Sequence, residues 1–134
     1  MIPVNLRLLP GYNDISDLIP DGHLLHYKQV WSLNFRHELD ESGDLCKALI
    51  IELTKDRDAY DVPTIKLVIN TPRDMRLFPN SNISQLSIYD YEVDGWSNAS
   101  YLIYDAEQDT DWNIYCVGIS FERGRQLPEF RSNA

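Results

Sequence analysis

The sequence predicts a mainly β protein: an antiparallel β-sandwich or strongly curved sheet of about seven or eight strands, with at most a short N-terminal helix. Three observations carry this. Apolar residues recur with period two along most of the chain, β-branched and aromatic residues fill those positions, and breaks rich in Gly, Asp and Pro separate the runs. With 134 residues, 43% of them hydrophobic, and fifteen aromatics, the chain reads as one domain over 1–134 with a real core. Residues 123–134, with Gly124, Pro128 and three Arg, read as a tail.

Taken in order, Asn13 or Asp14 can cap one helical turn over Asp14–Ile19, which Pro20 and Gly22 stop; more helix within 1–23 would make the class α+β. Leu24–Asp40 alternates an apolar set (Leu25, Tyr27, Trp31, Leu33, Phe35, Leu39) with a polar one, as a long strand with one side on the core, Trp31 included. Glu41–Asp44 supplies a hairpin turn, and Ala48–Thr54 and Thr64–Asn70 are strands separated by a longer connection. Further strands follow at Arg76–Phe78, Gln85–Val93, Ser100–Ala106 and Trp112–Glu122, with Asp94-Gly95 and Gln108–Asp111 as turns.

Charge is distributed very unevenly. Residues 77–122 contain no Lys or Arg and eight Asp or Glu, so that this run carries −8 of the net −9; residues 1–76 contribute −3 and 123–134 contribute +2. Asp90, Glu92 and Asp94 alternate, and so do Asp105, Glu107, Asp109 and Asp111, which would align carboxylates on one face if both segments were strands. Such a face repels nucleic acid and anionic membrane and attracts basic partners or cations. No apolar run approaches the ~20 residues that span a bilayer. The start, Met1-Ile-Pro-Val-Asn-Leu-Arg7, lacks a signal peptide's features, so the expected location is cytoplasmic. There Cys46 and Cys116 are expected as buried free thiols.

No motif assigns catalysis. Asp90-Tyr-Glu92-Val-Asp94-Gly95 matches an EF-hand loop at positions 1, 5 and 6, but Tyr101 stands where the bidentate Glu belongs and the flanks read as strands. A looser cation site built from two acidic turns stays open, as does a carboxylate pair for acid–base chemistry, although no His, Lys or Arg adjoins these acids to split their roles. His23-x-x-His26 puts its rings on opposite faces of a strand, which does not suit zinc. No phosphate loop or nucleophile elbow occurs, and no cofactor is expected. Tyr89, Tyr91, Trp96, Tyr101, Tyr104, Trp112 and Tyr115 interleave with the acids; about half must face the core, while Trp96 and Trp112, beside turn acids, suit interface anchors.

The order of strand, Gly95-Trp96, Tyr101-x-x-x-Asp105-x-Glu107 and a strand containing Tyr115-Cys116 resembles small acidic bacterial immunity proteins that neutralise secreted toxins. The likeness is confined to the C-terminal half. It implies a non-enzymatic inhibitor that masks a cognate toxin, and a basic nuclease-like toxin would suit the acidic run. The candidate partner-binding residues are Asp90, Glu92, Asp94, Trp96, Asp105, Glu107, Asp109, Asp111 and Trp112. A small-ligand or cation-binding β domain and a DNA-mimicking inhibitor are the alternatives.

Overall fold

The computed structural model describes residues 2–24, 26–39, 42–55, 63–76, 86–90, 100–105 and 113–124. Six full strands and one two-residue strand form a single open antiparallel sheet: β1 (Ile2–Pro3), β2 (Gln29–Leu39), β3 (Leu45–Thr54), β4 (Ile65–Arg76), β5 (Leu86–Asp90), β6 (Tyr101–Asp105) and β7 (Asn113–Arg123). Their spatial order is β1-β5-β6-β7-β4-β3-β2. Two meanders, β2-β3-β4 and β5-β6-β7, therefore meet at a central β4–β7 pair. A second sheet, as a sandwich requires, is not formed by the described residues.

The second layer is instead the N-terminal segment. Leu6, Leu9, Tyr12, Ile15, Ile19, Leu24 and Tyr27 are buried in one cluster with Leu49, Ile51, Leu67, Ile69, Ile103, Ile114 and Phe121 of the sheet. Register explains why those sheet residues share a face: Ile51 lies opposite Leu67 and Leu67 opposite Phe121, and Leu49, Ile69 and Ile119 repeat the row. The segment folds as a 3₁₀ turn at Leu6–Leu8 and one helical turn, α1 (Tyr12–Ile15), rather than over Asp14–Ile19. Helix onset is set by Gly11, whose φ of 82° only Gly adopts freely, and not by a side-chain cap. This layer is also tied by polar groups. The Phe121 amide donates to the Pro10 carbonyl at 2.9 Å, Arg123 forms a two-point ion pair with Asp17 at 2.8 and 3.0 Å, and the Tyr12 hydroxyl donates to Ile19 O at 2.6 Å.

Three further expectations are corrected. The long strand begins at Gln29, not Leu24, because Leu24 and Tyr27 turn inward together and the Tyr27 amide closes a turn on Leu24 O. Thr64–Asn70 and Arg76 do not belong to separate strands, since β4 runs continuously to Arg76 through a register shift between Pro72 and Asp74, and Leu77 and Phe78 lie outside the described residues. That bulge accommodates Pro72, which cannot donate to a ladder, and Thr71 beside it has a φ of 52°. Opposite this point β7 switches its buried set from Ile114 and Cys116 to Ile119 and Phe121. Trp31 is not core: it is 36% exposed at a bulge between Val30 and Ser32, and Leu33 and Phe35 on the same strand are 41% and 54% exposed.

Among the described residues no helix is long and apolar enough to cross a membrane. A Cβ at Gly11 would lie 1.9 Å from the Phe121 carbonyl oxygen. Gly11→Ala is therefore expected to cost at least ~2 kcal/mol, combining an unfavourable φ with loss of the docking contact. Urea unfolding checks this, and a loss below about 0.5 kcal/mol, the scale of a neutral surface change, would contradict it.

Candidate functional site

The acid-rich run builds the β5-β6-β7 half of the sheet. Asp90 ends β5 opposite Tyr101, and Asp105 ends β6 opposite Leu86. Alternation puts Asp90 on the face of Leu86 and Ile88, which is the covered face, and Asp105 shares it through its pairing with Leu86. Asp105 is only 3% exposed, so it is not the accessible turn side chain that its position suggests in sequence. The cause is local: it sits in register with buried Leu86 and follows Ile103 by two residues, the period that points inward. Asp90 is half-buried.

Glu92, Asp94 and Trp96, and likewise Glu107, Asp109, Asp111 and Trp112, lie outside the described residues. Their chain connections leave from opposite ends of β6, five residues long and so spanning ~13–17 Å. Asp90 and Asp105, the described members of the two alternating sets, therefore stand at opposite ends of the β5–β6 ladder. Asp90 and Asp105 lie about four residues apart along the ladder, ~13 Å, beyond the ~5–9.5 Å of a glycosidase carboxyl pair. Glu122, the last acid of the run, is engaged by Arg36 at 2.9 and 3.3 Å. Hydrogen bonding from that guanidinium holds the Glu122 carboxyl below its ordinary pKa.

The aromatic residues divide by face. Tyr101 packs against the core. On the open side Tyr89 and Tyr104 stack with ring centroids 5.2 Å apart, and a hydrogen bond with Tyr89 raises the Tyr104 pKa. Tyr115, half-buried, and buried Leu102 are paired in register beside them.

Sequence reasoning missed two features. One is the buried Glu52, which accepts hydrogen bonds from Thr64 Oγ1 at 2.5 Å and Ser32 Oγ at 3.3 Å. A Cβ at Gly124 would collide with Thr64 Oγ1, so that this network requires glycine there. The other is a cavity of about 410 Å³ between β5 and the N-terminal layer, lined among others by Val4, Leu6, Arg7, His23, Leu86 and Ile88. No local motif marks it, because its walls come from three separate chain segments. Its volume is that of a small-molecule site. Arg7 at its rim already donates to the Pro20 carbonyl at 3.0 Å.

His23 lies on this cavity and His26 on a turn ahead of β2, not on a strand. Among the described residues no three His, Cys, Asp or Glu side chains come together as a metal site. Cys46 and Cys116 are both free thiols; Cys116 is buried, whereas Cys46, near the exposed start of β3, is only half-buried. No protein-family model, curated protein or solved structure matches this chain.

Burial pushes the Cys116 thiol from its ordinary 9.0 up to about 12. A folded pKa above the unfolded one means that the stabilisation is complete below pH 9 and declines as pH rises from about 9 to about 12. Native protein at pH 8 is expected to label with a thiol reagent at Cys46 first, while Cys116 reacts only on unfolding. Equal labelling rates, read by mass spectrometry of the two peptides, would contradict the burial difference.

Proposed function

We propose that this chain is a non-enzymatic, cytoplasmic bacterial immunity protein that binds and inhibits a cognate basic, nuclease-like toxin through its acidic half. The observation that carries the reading is the polarity of charge: −8 within residues 77–122, without a single Lys or Arg. Electrostatic complementarity of that kind accelerates association with a basic target and rejects other partners. The likeness of Gly95-Trp96, Tyr101-x-x-x-Asp105-x-Glu107 and Tyr115-Cys116 to immunity proteins supports it. In this proposal the contacts are made by Glu92, Asp94, Glu107, Asp109 and Asp111, with Trp96 and Trp112 as anchors and Asp90 at the margin; Asp105, named with them in the sequence, is buried.

The cavity beside β5 favours a second reading, a β domain that binds a small ligand.

The test uses the cognate toxin, sought in a neighbouring gene or by pull-down with this chain. Reversing charge at Glu107, Asp109 and Asp111 to Lys is expected to slow association at least ~10-fold at low salt, with the deficit shrinking as salt is added, because rim charges act mainly on the on-rate. Trp112→Ala is expected to raise the off-rate instead, by an amount worth ~2 kcal/mol if the ring is a buried anchor. Unchanged surface-resonance kinetics for the triple reversal, with a native circular dichroism spectrum, would reduce the acidic run to a solubilising face.

A further inference from the structure

Strand β2 forms one edge of the sheet, and no strand among the described residues pairs with its outer side. It runs for eleven residues with neither Lys nor Pro, and its single irregularity lies near its start, between Val30 and Ser32. Edges that stay solitary are short, or are blunted by charged side chains, above all Lys, by Pro or by bulges. The charged residues of this edge are Arg36, which is already paired with Glu122, and Glu38. The opposite edge of this sheet is the two-residue β1.

The side chains of this edge are also unusual. Leu33 and Phe35 lie in register with buried Ile51 and Leu49, so they extend the core face outward beyond the reach of the N-terminal layer. Leu33 is 41% exposed, Phe35 54% with the Lys47 ammonium 5.1 Å from its ring centre, Leu39 71% and, on the neighbouring β3, Leu45 69%, with Trp31 36% exposed at the strand's start. Taking ~150–250 Å² per large side chain, this strip leaves on the order of 500 Å² of apolar surface in contact with water. Pairing of two such edges would bury the flanks of Leu33, Phe35 and Leu39 from both copies and add a backbone ladder of up to eleven residues, which together make the contact between the two chains.

We propose that β2 pairs antiparallel with β2 of a second copy of this chain about a two-fold axis, joining two sheets into one. A two-fold axis perpendicular to a sheet makes antiparallel self-pairing and keeps both apolar strips on the same face. Overlap of all eleven residues puts the axis at Asn34 and sets Leu33 of one copy against Phe35 of the other, twice. Electrostatics permits this edge and disfavours the other. Strand β2 has one Arg and one Glu and is neutral, and of the −8 segment the strands β5 and β6, with Asp90 and Asp105, lie in the far half of the sheet, while Glu122 of β7 is neutralised by Arg36 of β2.

Sedimentation equilibrium of the purified chain at ~100 µM tests the pairing, a concentration well above the Kd of a specific dimer. The expected mass is twice the 15.6 kDa of the chain. The double variant Leu33→Lys/Phe35→Lys is expected to weaken the dimer at least ~100-fold, the effect of losing a hot spot, with an unchanged circular dichroism spectrum. If that variant loses its β spectrum, Leu33→Thr/Phe35→Thr keeps strand propensity and must show the same shift to monomer. A monomeric wild-type chain overturns the proposal, including one that binds an extended peptide along β2. A dimer that persists in the folded variants overturns it too.

Discussion

A single β-sheet has two faces and cannot hide both with its own strands, so the structure depends on what covers the apolar one. Here the cover is the chain's first 27 residues, seven of whose apolar side chains are buried against the sheet. Burying each large side chain contributes ~1.5–3 kcal/mol, and that burial must offset the entropy of ordering a segment with only one helical turn of its own. Position is fixed where the layer touches β7. Gly11 lets the backbone pass against the Phe121 carbonyl, the Phe121 amide bonds to Pro10, and Arg123 grips Asp17 beyond it. Strand β7 is thus neighbour to β4 and β6 and anchor for the second layer.

The strands were legible in the sequence because a half-buried sheet writes its period directly into the chain. The C-terminal part of β3, β4 up to Asn70, and β5 to β7 lie where alternation and β-branched content put them. The covering layer was not legible, since Leu6, Leu9, Tyr12, Ile15 and Ile19 follow the spacing of irregular turns rather than a single period. Alternation also carried no information on how far the cover extends. Leu33 and Phe35 have the pattern of core residues and point to the core face, yet the N-terminal layer ends before reaching them. Strand β4 passes Pro72 because a bulge removes the ladder bond Pro cannot make, a local solution that reads as a break in one dimension.

Of the acidic site, composition revealed the charge segregation and the fold redistributed its members. Asp105 turns inward beside Leu86, Glu122 closes an ion pair with Arg36, and Asp90 is half-buried at the end of β5. The cavity beside β5 had no sequence signal, because its lining residues come from three distant chain segments and the one weighed for a motif, His23, has a spacing that bears only on zinc. The proposed partner-binding residues belong to the chain segment that builds β5, β6 and β7, whereas the proposed pairing edge is β2, at the other end of the strand order.

Native-state hydrogen exchange tests most directly whether cover and sheet form one structure. The Phe121 amide, bonded to Pro10, reports on docking of the N-terminal layer, and amides in the centre of β4 report on the sheet. If the layer is integral, both open only by global unfolding, with opening free energies agreeing within ~0.5 kcal/mol and the same denaturant dependence. A Phe121 amide that opens several kcal/mol more easily than β4, through a fluctuation insensitive to denaturant, would show the sheet standing without its cover.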